Sequence, residues 1–161
     1  MKFLKNVLLL LTCSIFSLQA VENYSDFIKE KRHQQGYFSF YIDDETGKVF
    51  LEIDKVEQEF LFQSSMPHGI GSNDIGLDRG QLGNTRLVQF ERVGDKVLLR
   101  QKNTYYRADT DNKLERQAVD EAFASSIIWG FKVASQNKDG RKVLIDYTPF
   151  LLSDIHQLST K

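Results

Sequence analysis

Cysteine, proline and tryptophan are almost missing from this chain of 161 residues, which has one cysteine, two prolines and one tryptophan. A lone Cys13 excludes an internal disulfide framework and any cluster of thiolate metal ligands. Two isolated prolines, Pro67 and Pro149, exclude a proline-rich linker. Charge of one sign is not in excess either. Lys and Arg number 21 against 22 Asp and Glu, a formal net charge of -1. That balance argues against a nucleic-acid partner and against an anionic membrane surface. His33, His68 and His156 are far apart and form no His-x-x-x-His pair, so a zinc site built from them would need a tertiary coincidence. The glycines form neither a Gly-x-Gly-x-x-Gly fingerprint nor a Gly-Lys-Ser/Thr phosphate cradle. No Gly-x-Ser-x-Gly elbow occurs, and Ser72 has only His68 nearby as a candidate base. There is no internal repeat and no low-complexity tract.

What is present begins with an export signal. Met1-Lys2-Phe3-Leu4-Lys5 is a short basic start, Val7 to Leu18 is mostly apolar, and Ala20 is a small residue suited to cleavage. This pattern predicts a secretory signal peptide over residues 1–20, too short to span a bilayer as a helix. The competing reading is a lipoprotein signal with Cys13 lipidated, against which stand the bulk of Thr12 and the apolar run continuing past the cysteine. Cleavage removes Lys2 and Lys5 from the 21 basic residues, leaving 19 against 22 acidic, a net charge of -3. The expected mature domain is exported, periplasmic or extracellular, without a stable membrane anchor and without a thiol. It must rest on its core.

Residues 21–35 read as a polar leader or a short surface helix, with Tyr24, Phe27 and Ile28 as its apolar positions. From Gly36 the period changes to two. Phe38, Phe40 and Ile42 alternate with Tyr37, Ser39 and Tyr41. Asp43 to Gly47 supplies turn chemistry, with the pair Asp43-Asp44 serving the turn. Val49, Leu51 and Ile53 then alternate with Phe50 and Glu52 to complete a hairpin. Phe60 to Gln63 is a further strand. Arg86 to Val93 and Lys96 to Lys102 form a second hairpin around Gly94-Asp95. A helix is expected from Asn112 to about Ser126, with Asn112 as cap and Glu115 reaching back to the cap's N–H. Its apolar stripe is Ala118, Val119, Ala122 and Phe123. Ile127 to Ala134 and Lys142 to Tyr147 read as strands, and a last helix starts at Thr148 with Pro149 in its first turn. The expected fold class is therefore α+β, mostly antiparallel β-hairpins forming a sheet, with a central helix and a C-terminal helix. Residues 36–161 form one domain.

Half of the ten glycines fall within residues 69–83. A loop of that length inside a compact domain is usually functional or disordered. Ile70, Ile75, Leu77 and Leu82 are spaced to pin it to a core. Asp74, Asp78 and Arg79 are its charges and the candidate site residues, in a structural or binding loop. The spacing of Asn73, Asp74 and Asp78, with no closing glutamate, does not make an EF-hand. A calcium ion held by Asp74, Asp78 and loop carbonyls competes with the favoured reading, in which Asp78 and Arg79 bond to the loop's own backbone and to neighbouring strands. No catalytic, cofactor-binding or metal-ligating residue is assigned. The aromatic run Tyr37 to Tyr41 and Trp129 read as packing residues. Phe150, Leu151, Leu152, Ile155 and Leu158 crowd the C-terminal segment. Leu151, Ile155 and Leu158 share one helical stripe that must dock, on this sheet or on a layer supplied by chain beyond Lys161.

Three blocks carry a resemblance. Gly69 to Gly83 with Thr85 to Leu99, Glu115 to Phe131, and Asp146 to Asp154 together resemble the N-terminal domain of large secreted bacterial zinc-dependent metallopeptidases. The resemblance runs from about Gly36 to the end. In that family this domain has no assigned function. Activity resides downstream, in a metzincin-like domain whose His-Glu-x-x-His helix binds zinc through two histidines and uses the glutamate as general base. This chain contains no such motif, so no catalytic residue carries over, and zinc is implied only for the missing catalytic domain. The resemblance implies a non-catalytic module, a truncated form, that packs on or orders a cognate catalytic domain. The alternatives are a latency module, which would have to block zinc through Asp74, Asp78 or His68, and a free-standing extracytoplasmic binding module.

Overall fold

The computed structural model describes residues 23–69 and 78–154. In chain order the elements are α1 (Tyr24–Ile28), β1 (Arg32–Gln34), β2 (Ser39–Asp43), β3 (Lys48–Ile53), β4 (Glu59–Phe62), β5 (Arg86–Val93), β6 (Lys96–Gln101), α2 (Lys113–Ala122), β7 (Ser126–Gln136), β8 (Val143–Asp146) and α3 (Thr148–Leu151). The eight strands form one sheet in the order β1-β2-β3-β8-β7-β6-β5-β4, and every neighbouring pair is antiparallel. The α+β expectation holds, weighted toward β.

Both expected hairpins form. Tyr41 faces Phe50 in the first, and Val93 faces Lys96 across Gly94-Asp95 in the second. Gly94 has φ of +60°, a value that a two-residue hairpin turn requires and that a side chain would oppose. Asp43 Oδ1 accepts from the backbone N–H of Glu45 and Thr46 at 3.1 and 3.0 Å, so Asp43 serves the turn as its sequence suggests, while Asp44 Oδ1 instead accepts from Arg32 Nη2 of β1 at 2.9 Å. Residues 21–35 contribute more than a leader. They contain α1 and also β1, whose His33 lies opposite Tyr41.

β7 joins the two halves of the sheet. Its first part pairs with β6 from Ser126 to Lys132, and its last part pairs with β8. The register shifts between Val133 and Ser135, where the strand passes from one partner to the other. Such irregularities bend a strand and increase its twist. The sheet accordingly curls. Phe38, just before β2, lies 5.4 Å from Phe90 of β5, although five strand spacings separate β2 and β5 in the sheet order. In a flat sheet those spacings would place them roughly 24 Å apart. Val56 also bridges Phe90, and the N–H of Glu57 donates to the Phe90 carbonyl at 2.7 Å.

The curl encloses the core. Leu51, Ile53, Val143 and Ile145 from one half meet Val88, Phe90, Val97, Leu99 and Phe131 from the other. α3 closes this core with a single side chain. Phe150 is buried against Trp129, Phe131 and Tyr147, with ring centroids 5.9, 5.5 and 5.0 Å away. Trp129 is thus a packing residue, and burial pushes the Tyr147 phenol up to about 12. A second, smaller cluster lies on the opposite face of β2, β3 and β8, where Tyr41, Phe50 and Leu144 are covered by Tyr24, Phe27 and Ile28 of α1.

The two later helices differ from expectation. α2 ends at Ala122 rather than near Ser126, because Phe123 leaves helical geometry and stacks on Tyr106 at 3.8 Å. The capping box is also replaced. Asn112 Oδ1 accepts from the N–H of Leu114 at 3.0 Å, but the Asn112 N–H goes to Thr110 Oγ1 at 3.1 Å. Glu115 instead accepts from the Asn112 amide at 3.3 Å. Thr110, two residues earlier, takes the cap donor that Glu115 was expected to take. The expected apolar stripe does not enter the core, since α2 buries no residue. The curl of the sheet and Phe150 have already closed the interior. In α3, Phe150 rather than Leu151 is the docked residue, and Leu151 and Leu152 are 55% and 82% exposed. Ile155 and Leu158 lie outside the described residues.

Candidate functional site

The glycine-rich loop is fastened at its neck by backbone. The N–H of Met66 donates to the Gln81 carbonyl at 2.9 Å, that of Gly80 to Met66 at 2.8 Å, and that of Gly83 to Ser64 at 2.9 Å. Ser65 and Leu82 form a bridge between them. Gly80 has φ of +84°, the left-handed region in which glycine is at ease. Gln63 adds a side-chain clasp to the Gly83 carbonyl at 3.1 Å and to Thr85 Oγ1 at 2.9 Å. Asp78 takes part through its carbonyl, which accepts from the Gln81 N–H at 3.1 Å. Asp78 and Arg79 are both exposed. Asp74 lies among residues 70–77, outside the described ones, as do Ile70, Ile75 and Leu77. Leu82 is 60% exposed, so it does not pin the loop to the core. The antiparallel neck supplies that fastening instead.

The histidines are not gathered. His33 stacks on Tyr41 at 4.9 Å, His68 is exposed beyond the neck, and His156 lies outside the described residues. Among the described residues no group of three or more His, Cys, Asp or Glu is placed to hold a metal ion. No described helix is long and apolar enough to cross a membrane.

One constellation was not foreseen from sequence. Glu52 on β3 is only 4% exposed. Its Oε2 accepts from the Tyr24 hydroxyl of α1 and from the Tyr41 hydroxyl of β2 at 3.1 Å. Its Oε1 accepts from Lys142 Nζ at 2.9 Å. Burial pushes the Glu52 carboxyl upward. The hydrogen bonds from Tyr24, Lys142 and Tyr41, with the Lys142 charge, outweigh burial and hold it below the usual glutamate range. Tyr24 is pushed up by burial and then by its bond to Glu52, and Tyr41 is raised chiefly by burial. Lys142 is raised by its bond to Glu52 and by that carboxylate's charge. A carboxylate with this many donors is a poor base and a poor nucleophile. The arrangement is a clasp that fixes α1 to the sheet. The available signal was alternation. Glu52 shares a strand face with Phe50, opposite Leu51 and Ile53, and that face is not the solvated one.

A family model described as Domain of unknown function (DUF5117) matches residues 80–161, and another, Domain of unknown function (DUF5118), matches residues 21–69. No curated protein matches the chain, and no solved structure does. The boundary between the two matched stretches falls in the glycine-rich loop, yet both contribute to one sheet. β4 of the earlier stretch pairs with β5 of the later one, and β3 pairs with β8.

Proposed function

We propose that this chain, which belongs to the family of the DUF5117 domain of unknown function, is a non-catalytic module of an exported zinc-dependent metallopeptidase. Its role is to pack on, and order, a catalytic domain that these residues do not include. The observation that carries this reading is the end of the described fold. Phe150 is buried at 4% exposure, while the next two residues, Leu151 and Leu152, are left at 55% and 82%. Fully covering a leucine is worth about 1.5–3 kcal/mol, so a neighbouring layer seated there gains from both. The resemblance of Asp146 to Asp154 to the N-terminal domain of secreted metallopeptidases supports reading that layer as a peptidase catalytic domain. On this reading the chain is not itself an enzyme and acts outside the cytoplasm.

The test is co-expression of the chain with the His-Glu-x-x-His domain encoded beyond the codon for Lys161. The two should co-elute as one complex, and the Leu151→Asp/Leu152→Asp double variant should weaken the complex about tenfold or more. Absence of such a reading frame, or separate elution of the two parts, overturns the proposal. The latency reading draws on His68 and Asp78, both exposed at the mouth of the loop. It would add inhibition of proteolysis to co-elution, and full peptidase activity in the complex would rule it out.

A further inference from the structure

Three hollows surround the segment that follows β6. The largest, about 500 Å³, lies between that segment and α2 and includes Lys102, Arg107, Arg116 and Asp120 in its walls. A second, about 210 Å³, shares Lys102, Tyr106 and Phe123 with the first and adds Tyr105. A third, about 350 Å³, shares Lys102 and Tyr105 with the second and reaches Arg86 and Leu87 on β5. All three have Lys102 in their walls and together form a grooved stretch of surface, running from α2 past Tyr105 to β5.

Its chemistry is one-sided. Arg86, Lys102, Arg107 and Arg116 line it against a single carboxylate, Asp120, in a chain whose overall charge is slightly negative. Lys102 reaches Glu59 at 3.5 Å, and Arg116 Nη1 donates to the Thr110 carbonyl at 3.2 Å. The side chains of Arg86 and Arg107 make no hydrogen bond to another described residue. The wall is pre-formed. Asn103 Oδ1 accepts from the N–H groups of Tyr105 and Tyr106 at 3.0 and 3.2 Å, and its amide donates to the Tyr106 carbonyl at 3.1 Å. Apolar surface accompanies the charge, because Tyr105 is 90% exposed and Val119 of α2 stands in the wall.

We propose that this groove binds an extended acidic polypeptide segment carrying aliphatic side chains. Carboxylates suit the fixed fork of each guanidinium. The exposed ring of Tyr105 and the Val119 side chain suit aliphatic side chains between them. A polypeptide is favoured over a nucleic acid on one count. Tyr106 and Phe123 already stack on each other at 3.8 Å with an interplanar angle of 11°, so their facing surfaces are taken and cannot sandwich a base. The proposal does not depend on the peptidase reading, since any acidic partner satisfies it and the test uses no catalytic domain.

The test is selection of a randomised twelve-residue peptide display library against the exported product of the full chain. Binders are then measured by anisotropy against that protein and against Arg107→Glu/Arg116→Glu, whose melting curve is recorded as a check on folding. Selected peptides should be enriched in Asp and Glu with aliphatic residues. They should bind the folded double variant about tenfold or more weakly and lose affinity as salt rises. Absence of acidic enrichment, or equal binding by the folded double variant, overturns the proposal. So does tighter binding of a single-stranded oligonucleotide probe than of the selected peptides. If the double variant melts early, Lys102→Glu and Arg86→Glu are measured singly under the same criteria.

Discussion

Glu52 is held by donors from three separate places in the chain: Tyr24 on α1, Tyr41 on β2, and Lys142 beside β8. Removing one donor leaves part of a buried carboxylate unpaired, which costs about 1–3 kcal/mol. Tyr24→Phe is therefore expected to lower stability by that amount, measured by urea unfolding, with the loss appearing first as detachment of α1. Acid should reproduce the effect. The Glu52 carboxyl is held below its ordinary value in the fold, so the unfolded chain takes up the proton at higher pH than the folded one. The contribution is complete above the ordinary glutamate value and is lost as pH falls through the lowered one. The stability gap between the natural chain and Glu52→Gln should be widest near neutrality and shrink in acid; a gap constant between pH 7 and pH 3 would show that the charge is not involved. The clasp was half legible. The alternation that places Glu52 beside Phe50 is plain in the sequence. Its hydroxyl partner Tyr24 is 28 residues away in a stretch with no periodicity to announce it.

At the scale of elements, β2 to β8 were legible, while β1 and helix docking were not. A strand's two-residue period follows from backbone geometry, and burial on one face keeps it in register. Val97 and Leu99 are accordingly buried while Leu98 and Arg100 on the other face are half-buried. The stripe on α2 was equally readable, but a stripe reports only that a face is apolar. What covers that face depends on whether the sheet has an open side, and here the curl has closed it. α1 shows the converse, a five-residue helix with a weak pattern that nonetheless covers Phe50 and Leu144. Because α2 buries no residue, its stability is local. Asn112→Ala should cost the helix about 1 kcal/mol and leave the global melting temperature almost unchanged. Hydrogen exchange would check this directly, with α2 amides opening far more readily than those of β3, β6 and β8. Slow exchange in α2, matching the sheet, would contradict the structure.

At the scale of the molecule, the two family stretches are one folding unit. β3–β8 and β4–β5 are the seams between them, and Ile53 and Leu51 share a core with Val88 and Phe131. Neither residues 21–69 nor residues 80–161 should give a cooperative thermal transition alone. A chain cut by an engineered protease site between residues 70 and 77 should stay together on size exclusion, held by both seams. Independent melting of either half would refute this. The same seam has a consequence in time. Leu51 waits for Ile145 and Phe50 for Asp146, contacts far apart along the chain that close slowly and late. During synthesis β3 leaves the ribosome long before β8 exists, and the core stays open until β8 has emerged. A fold wired in this way remains threadable while it is being made, and it becomes a rigid body only when β8 arrives.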